Sequence, residues 1–195
     1  MKGVHPSPAG GARVIGEFGV DRPRGDIWIF GYGSLMWRPD FDFLERRSAR
    51  LNGAHRALCV YSHHHRGSPE RPGLVLGLDR GGTCRGIAFR IAAAKVEPTL
   101  AYLREREQIT RVYRETMRPV DLIDAPYERV RGLTYLVDHS HAQYAGELPL
   151  EMQLHLVRQG HGRSGANRDY LLETVKELEA LGIRDKTLEW LVARL

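Results

Sequence analysis

The 195-residue chain is 42% hydrophobic and 27% charged, a balance that suits one globular domain with a sizeable core. Its apolar runs fall short of the ~20 residues that a membrane-spanning helix needs. The net charge of +5 invites a nucleic-acid reading, but arginine is scattered among acids, as in RVYRETMRPVDLIDAPYERVR, with no basic block and interleaved aromatics. The expected partner is a small molecule, for which an excess of positive charge favours anions, and neither nucleic acid nor a membrane.

Residues 1–25 are rich in Gly, Pro and Arg without a sustained period, so a flexible N-terminal arm is expected there, with a single catalytic domain over 26–195. The opening MKGVHPSPAGGARVIGEFGV lacks the continuous apolar stretch of a secretory signal, and a cytoplasmic location is expected. Cys59 and Cys84 each sit in an apolar segment and read as buried small hydrophobes. IWIF, from Ile27 to Phe30, has the composition of a buried strand that GYGSL then breaks. RALCVYS, GLVLGL and GIAFRI follow as strand-like segments, separated by HHHRGSPERPG and by DRGGT, both of which read as turns. Glu115 to Leu122 and RGLTYLV add two more strands that could close a small sheet into a barrel.

KVEPTLAYLREREQI reads as a helix with Pro98 in its first turn, followed by helical patterns in LPLEMQLHLVRQG, NRDYLLETVKELEALG and DKTLEWLVARL. Asn167 is the expected cap of the third helix and Gly182 its stop. The predicted class is therefore α+β, a small barrel with flanking helices.

Gly31, Tyr32, Gly33, Ser34 and Leu35 directly follow a buried strand, where two glycines let backbone N–H groups approach a carboxylate or an oxyanion. The alternative is a tight turn that only reverses the chain. At about 100° per residue, Val96, Leu100, Leu103 and Glu107 fall at about 0°, 40°, 340° and 20°, which places Glu107 on an apolar stripe, while Glu105 faces water and, with its arginine neighbours, reads as surface charge. An acid directed inward is a candidate general base with a raised pKa, or else a member of an internal ion pair, or it is left exposed by a helix that ends a turn early. Tyr113 could return a hydroxyl to the same pocket or simply pack. His63, His64 and His65 are consecutive and cannot all converge on one metal, so they read as loop. Ser34 lacks the GxSxG surroundings of a hydrolase nucleophile.

WIFGYGSLMWRPDF, HHHRGSPERPGLVLGL, REQITRVYRE and GRSGANRDYLLE, in this order between Ile27 and Leu195, resemble the ChaC-type gamma-glutamylcyclotransferases, of glutathione-specific type. The resemblance implies a gamma-glutamylcyclotransferase-like fold, a small mixed β-barrel with helices, and no metal or organic cofactor. It implies that Tyr32, Gly33, Ser34 and Leu35 hold a gamma-glutamyl group, that Glu107 is the acid/base, and that Tyr170 borders the substrate. The implied reaction cleaves glutathione to 5-oxoproline and Cys-Gly. Activity on other gamma-glutamyl amino acids or amines, or gamma-glutamyl binding without catalysis, are the alternatives.

Overall fold

A computed structural model describes residues 25–107 and 111–195, apart from the side chain of Glu107. Except for Gly25, the expected arm over residues 1–25 lies outside the described residues.

Five strands form a closed barrel: β1 (Ile27–Gly31), β2 (Glu45–Ser62), β3 (Gly73–Ile91), β4 (Tyr113–Leu122) and β5 (Glu128–Val137), in the spatial order β1-β3-β2-β4-β5. Neighbours in that order run antiparallel, and the barrel closes through parallel pairing of Trp28 with Gly132 and Ile29 with Leu133. On the two faces of this sheet, Ile29, Phe30, Leu51, Leu74, Phe89 and Tyr135 are fully buried and belong to the core.

Two local readings of the sequence are corrected here. DRGGT is not a turn between strands: GLVLGL and GIAFRI belong to one 19-residue strand, paired with β2 throughout. The glycines in it bend the strand without ending it. Gly81 and Gly82 have φ of +85° and +69°, Gly53 on β2 has +80°, and the register shifts between Asn52 and Ala54. Such a bulge kinks a long hairpin so that it can wrap a barrel. Likewise, β2 begins at Glu45, well before RALCVYS.

The helices are α1 (Val96–Glu107), α2 (Leu150–Gln159), α3 (Asn167–Ala180) and α4 (Lys186–Val192). On α1, Val96, Thr99 and Leu103 are buried and Glu105 is exposed, in keeping with the stripe. Gly182, at φ +64°, stops α3: its N–H donates to Glu179 O at 2.9 Å and Ile183 N–H to Leu178 O at 2.8 Å, which satisfies the last carbonyls. Asp185 caps α4 by accepting the Leu188 N–H at 3.1 Å.

Asn167 is not the cap of α3. It is the first helical residue, and its wholly buried side chain accepts the Leu74 N–H at 2.6 Å and donates to Leu74 O at 2.9 Å. An amide that matches both polar groups of one strand residue docks α3 onto β3. Both cysteines are free and buried, and burial pushes the Cys59 thiol up to about 12. Among the described residues, no helix is long and apolar enough to cross a membrane.

The connection after β5 is held to the barrel by Asp79. Its Oδ1 lies 2.6 Å from His139 Nε2 and accepts the Arg80 N–H at 2.7 Å, while Oδ2 accepts the Tyr144 hydroxyl at 2.8 Å. Burial pushes the Asp79 carboxyl up, but the hydrogen bonds from Arg80, Tyr144 and His139 together outweigh it and the net direction is down. Hydrogen bonds from the Ser140 hydroxyl and N–H, with help from Arg114, bring Asp138 down to about 2.

A carboxylate whose pKa is lower folded than unfolded favours the fold when ionised. Its contribution is complete above the ordinary value of about 4 and is lost as pH falls through the folded value. The thermal midpoint, followed by circular dichroism, is therefore expected to fall between about pH 4 and about pH 2, less steeply in Asp79→Asn.

Candidate active site

The end of β1 is pressed against β3: a Cβ on Gly86 would meet Gly31 O at 2.3 Å, and one on Gly31 would meet Leu35 Cβ at 3.0 Å. The chain leaves that contact in a 3₁₀ turn over Ser34–Met36, with Met36 N–H donating to Gly33 O at 2.9 Å. Arg56 fixes the loop from below through hydrogen bonds to Tyr32 O at 2.6 Å and Arg85 O at 2.7 Å. Among the described residues, the N–H groups of Gly33, Ser34 and Leu35 have no partner. They are the donors that an anion at this loop would use.

This loop forms one wall of a cleft of about 470 Å³. Tyr32, Gly33, Ser34, Leu35, Tyr113 and Tyr170 all line it, whereas Gly31 does not and acts in packing. The two tyrosines meet at one residue of β3: the Tyr113 hydroxyl donates to Leu76 O at 2.9 Å, and the Tyr170 hydroxyl accepts the Leu76 N–H at 3.3 Å. Tyr170 is brought there by α3 and Tyr113 by the start of β4. Ser34 Oγ accepts a hydrogen bond from Arg106 Nη2 at 3.0 Å, and no histidine is bonded to it among the described residues.

Glu107 is the last residue of α1, and its side chain lies outside the described residues. What surrounds the final turn of α1 is described. Arg104 makes two hydrogen bonds to Glu115, at 2.9 and 3.1 Å, and the Tyr135 hydroxyl donates to the same carboxylate at 3.4 Å. The Glu115 side chain is only 6% exposed while Arg104 keeps contact with water, and the pair ties the helix end to β4 and to Tyr135 in the cleft lining. On the other side, Arg106 Nη1 donates to Arg38 O at 2.6 Å and to the Tyr102 hydroxyl at 2.8 Å. Arg106 thus joins α1 to the loop that carries Ser34. Replacing Arg106 with Met should lower kcat/KM about tenfold, the size of one charge-assisted hydrogen bond, as steady-state kinetics on the folded variant would show.

Sequence reasoning missed Arg66, Arg106, Tyr135 and Gln143, all of which line the cleft. Arg66 stands inside the quoted segment HHHRGSPERPGLVLGL and Arg106 is the first residue of REQITRVYRE, so both could have been flagged there. Gln143 carries no local signal, because it is placed by long-range bonds: its Nε2 donates to Tyr61 O at 2.8 Å and its O accepts the Tyr61 N–H at 2.9 Å.

His63, His64 and His65 form a bend at the cleft mouth, and burial, then Arg163, Arg66 and His64, push the His65 imidazole down. No group of His, Cys, Asp and Glu suited to a metal occurs among the described residues. Among the described lining residues, Arg38, Arg66 and Arg106 face Asp40 as the sole acid, a balance that favours an anionic ligand.

The family described as ChaC-like protein matches residues 27–195. The chain is 36% identical over 164 residues to a glutathione-specific gamma-glutamylcyclotransferase of Escherichia coli (strain K12), covering 84% of this chain and 70% of that protein. It is 33% identical over 167 residues to glutathione-specific gamma-glutamylcyclotransferase 1 of Homo sapiens, covering 82% and 75%. Among solved structures, a yeast gamma-glutamyl cyclotransferase specific to glutathione superposes with a TM-score of 0.78 at 20% identity, covering 87% of this chain and 95% of that one. At that identity the superposition speaks for the fold.

Proposed function

Because the chain belongs to the ChaC-like family, we propose that it is a glutathione-specific gamma-glutamylcyclotransferase, a carbon–nitrogen lyase that releases 5-oxoproline and Cys-Gly. The observation that carries this reading is the cleft itself: a loop with three N–H groups unpartnered among the described residues faces a wall of anchored tyrosines, beside the turn of α1 that ends at Glu107.

Glutathione holds its nucleophile, the glutamyl α-amine, and its electrophile, the γ-carbonyl carbon, in one residue. The site has to fold that residue and move a proton, with no covalent enzyme intermediate. In the proposed step Glu107 takes a proton from the α-amino group as its nitrogen attacks the γ-carbonyl carbon. The new C–N bond closes the five-membered ring. The bond to the cysteinyl nitrogen then breaks as Glu107 returns the proton to that nitrogen.

The N–H groups of Gly33, Ser34 and Leu35 are suited to the substrate carboxylate or to the oxyanion at the γ-carbonyl, where each well-placed donor is worth about 3–4 kcal/mol. Arg106 holds that loop in register with α1.

Incubation of the purified chain with reduced glutathione is expected to give 5-oxoproline and Cys-Gly in equal amounts, read by liquid chromatography. Faster conversion of γ-Glu-Ala than of glutathione would favour a broader gamma-glutamyl cyclotransferase, and binding without conversion a non-catalytic module.

A further inference from the structure

We propose that Arg66 is a specificity-determining residue that receives the carboxylate at the far end of the leaving dipeptide, an inference that rests on the glutathione reading above. Arg66 follows β2 and is half-buried, and its backbone N–H donates to Ser62 Oγ at 3.0 Å. Its Nη1 donates to Ser164 O at 2.6 Å and Ala166 O at 3.2 Å, and its guanidinium carbon sits 5.4 Å from the centroid of the Tyr170 ring. Two carbonyls and an aromatic face therefore fix the plane of the guanidinium.

The remaining donors, on Nε and Nη2, have no partner among the described residues, although Arg66 lines the cleft. A planar fork held on one side and open on the other is organised in advance for a carboxylate, and little side-chain entropy is left to lose on binding. No acid competes for it among the described lining residues, since Asp40 is paired with Arg106 at 3.3 Å.

Position agrees with chemistry. A Cβ on Gly33 would lie 3.8 Å from Leu76 Cδ1, Leu76 is hydrogen-bonded to the Tyr170 hydroxyl at 3.3 Å, and Arg66 lies over the Tyr170 ring. These contacts lead stepwise from the loop to Arg66. In glutathione, the γ-carbonyl carbon and the terminal carboxylate are separated by two residues, at most about 7 Å when extended. A gamma-glutamyl group on the loop would send Cys-Gly along Leu76 and Tyr170 and set its carboxylate at the open side of Arg66. A site built to bond a charged group discriminates strongly against an analogue that lacks it, because the buried donors are then left unpaired.

The test compares kcat/KM for glutathione and for glutathione whose glycine carboxylate is an amide, using the wild-type chain, Arg66→Met and Arg66→Lys. The wild type should prefer glutathione by about 10- to 100-fold, mainly through KM. Arg66→Met should bring that ratio close to one, and Arg66→Lys should leave it in between.

A merely structural role in holding the segment from Ser164 to Ala166 would lower turnover of both substrates and leave the ratio where it was. An unchanged ratio in Arg66→Met, or a wild type that treats both substrates alike, would overturn the proposal, and the wild-type comparison requires no variant to fold. Absence of 5-oxoproline from wild type with either substrate is a different result, and defeats the functional reading itself.

Discussion

Glu107→Gln is expected to lose about 10²- to 10⁴-fold in kcat for 5-oxoproline release while binding glutathione with nearly unchanged affinity. The substitution keeps size and hydrogen-bonding shape and removes only the ability to accept the proton of the attacking amine. The final turn of α1 is anchored independently, through Arg104 to Glu115 on one side and through Arg106 to Arg38 O and Ser34 on the other. The variant should consequently unfold at the wild-type temperature, and calorimetric titration with glutathione separates binding from turnover. A kcat within about threefold of wild type would remove Glu107 from the proton-transfer role.

Asn167→Ala should be the most damaging substitution for stability among those considered. The side chain is fully buried and serves both the N–H and the C=O of Leu74. Truncation leaves two buried backbone groups without partners, each costing about 1–3 kcal/mol, so a loss of about 2–6 kcal/mol in urea unfolding is expected. A functional consequence follows from the same contact. Asn167 docks the helix that delivers Tyr170 to Leu76, so loosening it should also raise KM in whatever fraction remains folded.

The fold was legible in the sequence where local pattern and tertiary packing coincide. The stripe on α1 is the clearest case, because Val96 and Leu103 are spaced by the helical repeat and are both buried. The pattern misled at DRGGT, where Gly81 and Gly82 carry the local signature of a turn. The pairing that overrides it is distant in sequence: Asp79 faces His55, Arg80 faces Ala54 and Thr83 faces Asn52, and these pairs hold the bulged strand together across the hairpin. The start of β2 was hidden for a related reason. ERRSARLNGA is mostly charged or polar, with Glu45, Arg46, Arg47, Arg50, Ser48 and Asn52, and only one face of it, with Ala49 and Leu51, enters the core.

At the site, the glycine loop, Tyr113 and Tyr170 were found because they stand in segments with a recognisable order. The bonds that give them geometry were not visible: nothing in the local sequence says that Tyr113 and Tyr170 reach the two polar groups of Leu76. Arg104 and Arg106 illustrate the opposite error. Beside Glu105 they read as parts of a solvated face, yet their side chains are only 36% and 20% exposed, and each bonds across to another element. Arginine can hide its stem against apolar neighbours and still reach a distant acceptor, so charge alone does not put a residue on the surface.

In the proposed reaction the gamma-glutamyl bond breaks by internal attack of the substrate's own amine, with water taking no part. Turnover of glutathione in heavy-oxygen water, with both products analysed by mass spectrometry, tests this directly. Internal attack predicts unlabelled 5-oxoproline together with Cys-Gly. Glutamate bearing heavy oxygen in its γ-carboxylate would show that water is the nucleophile, and would contradict it.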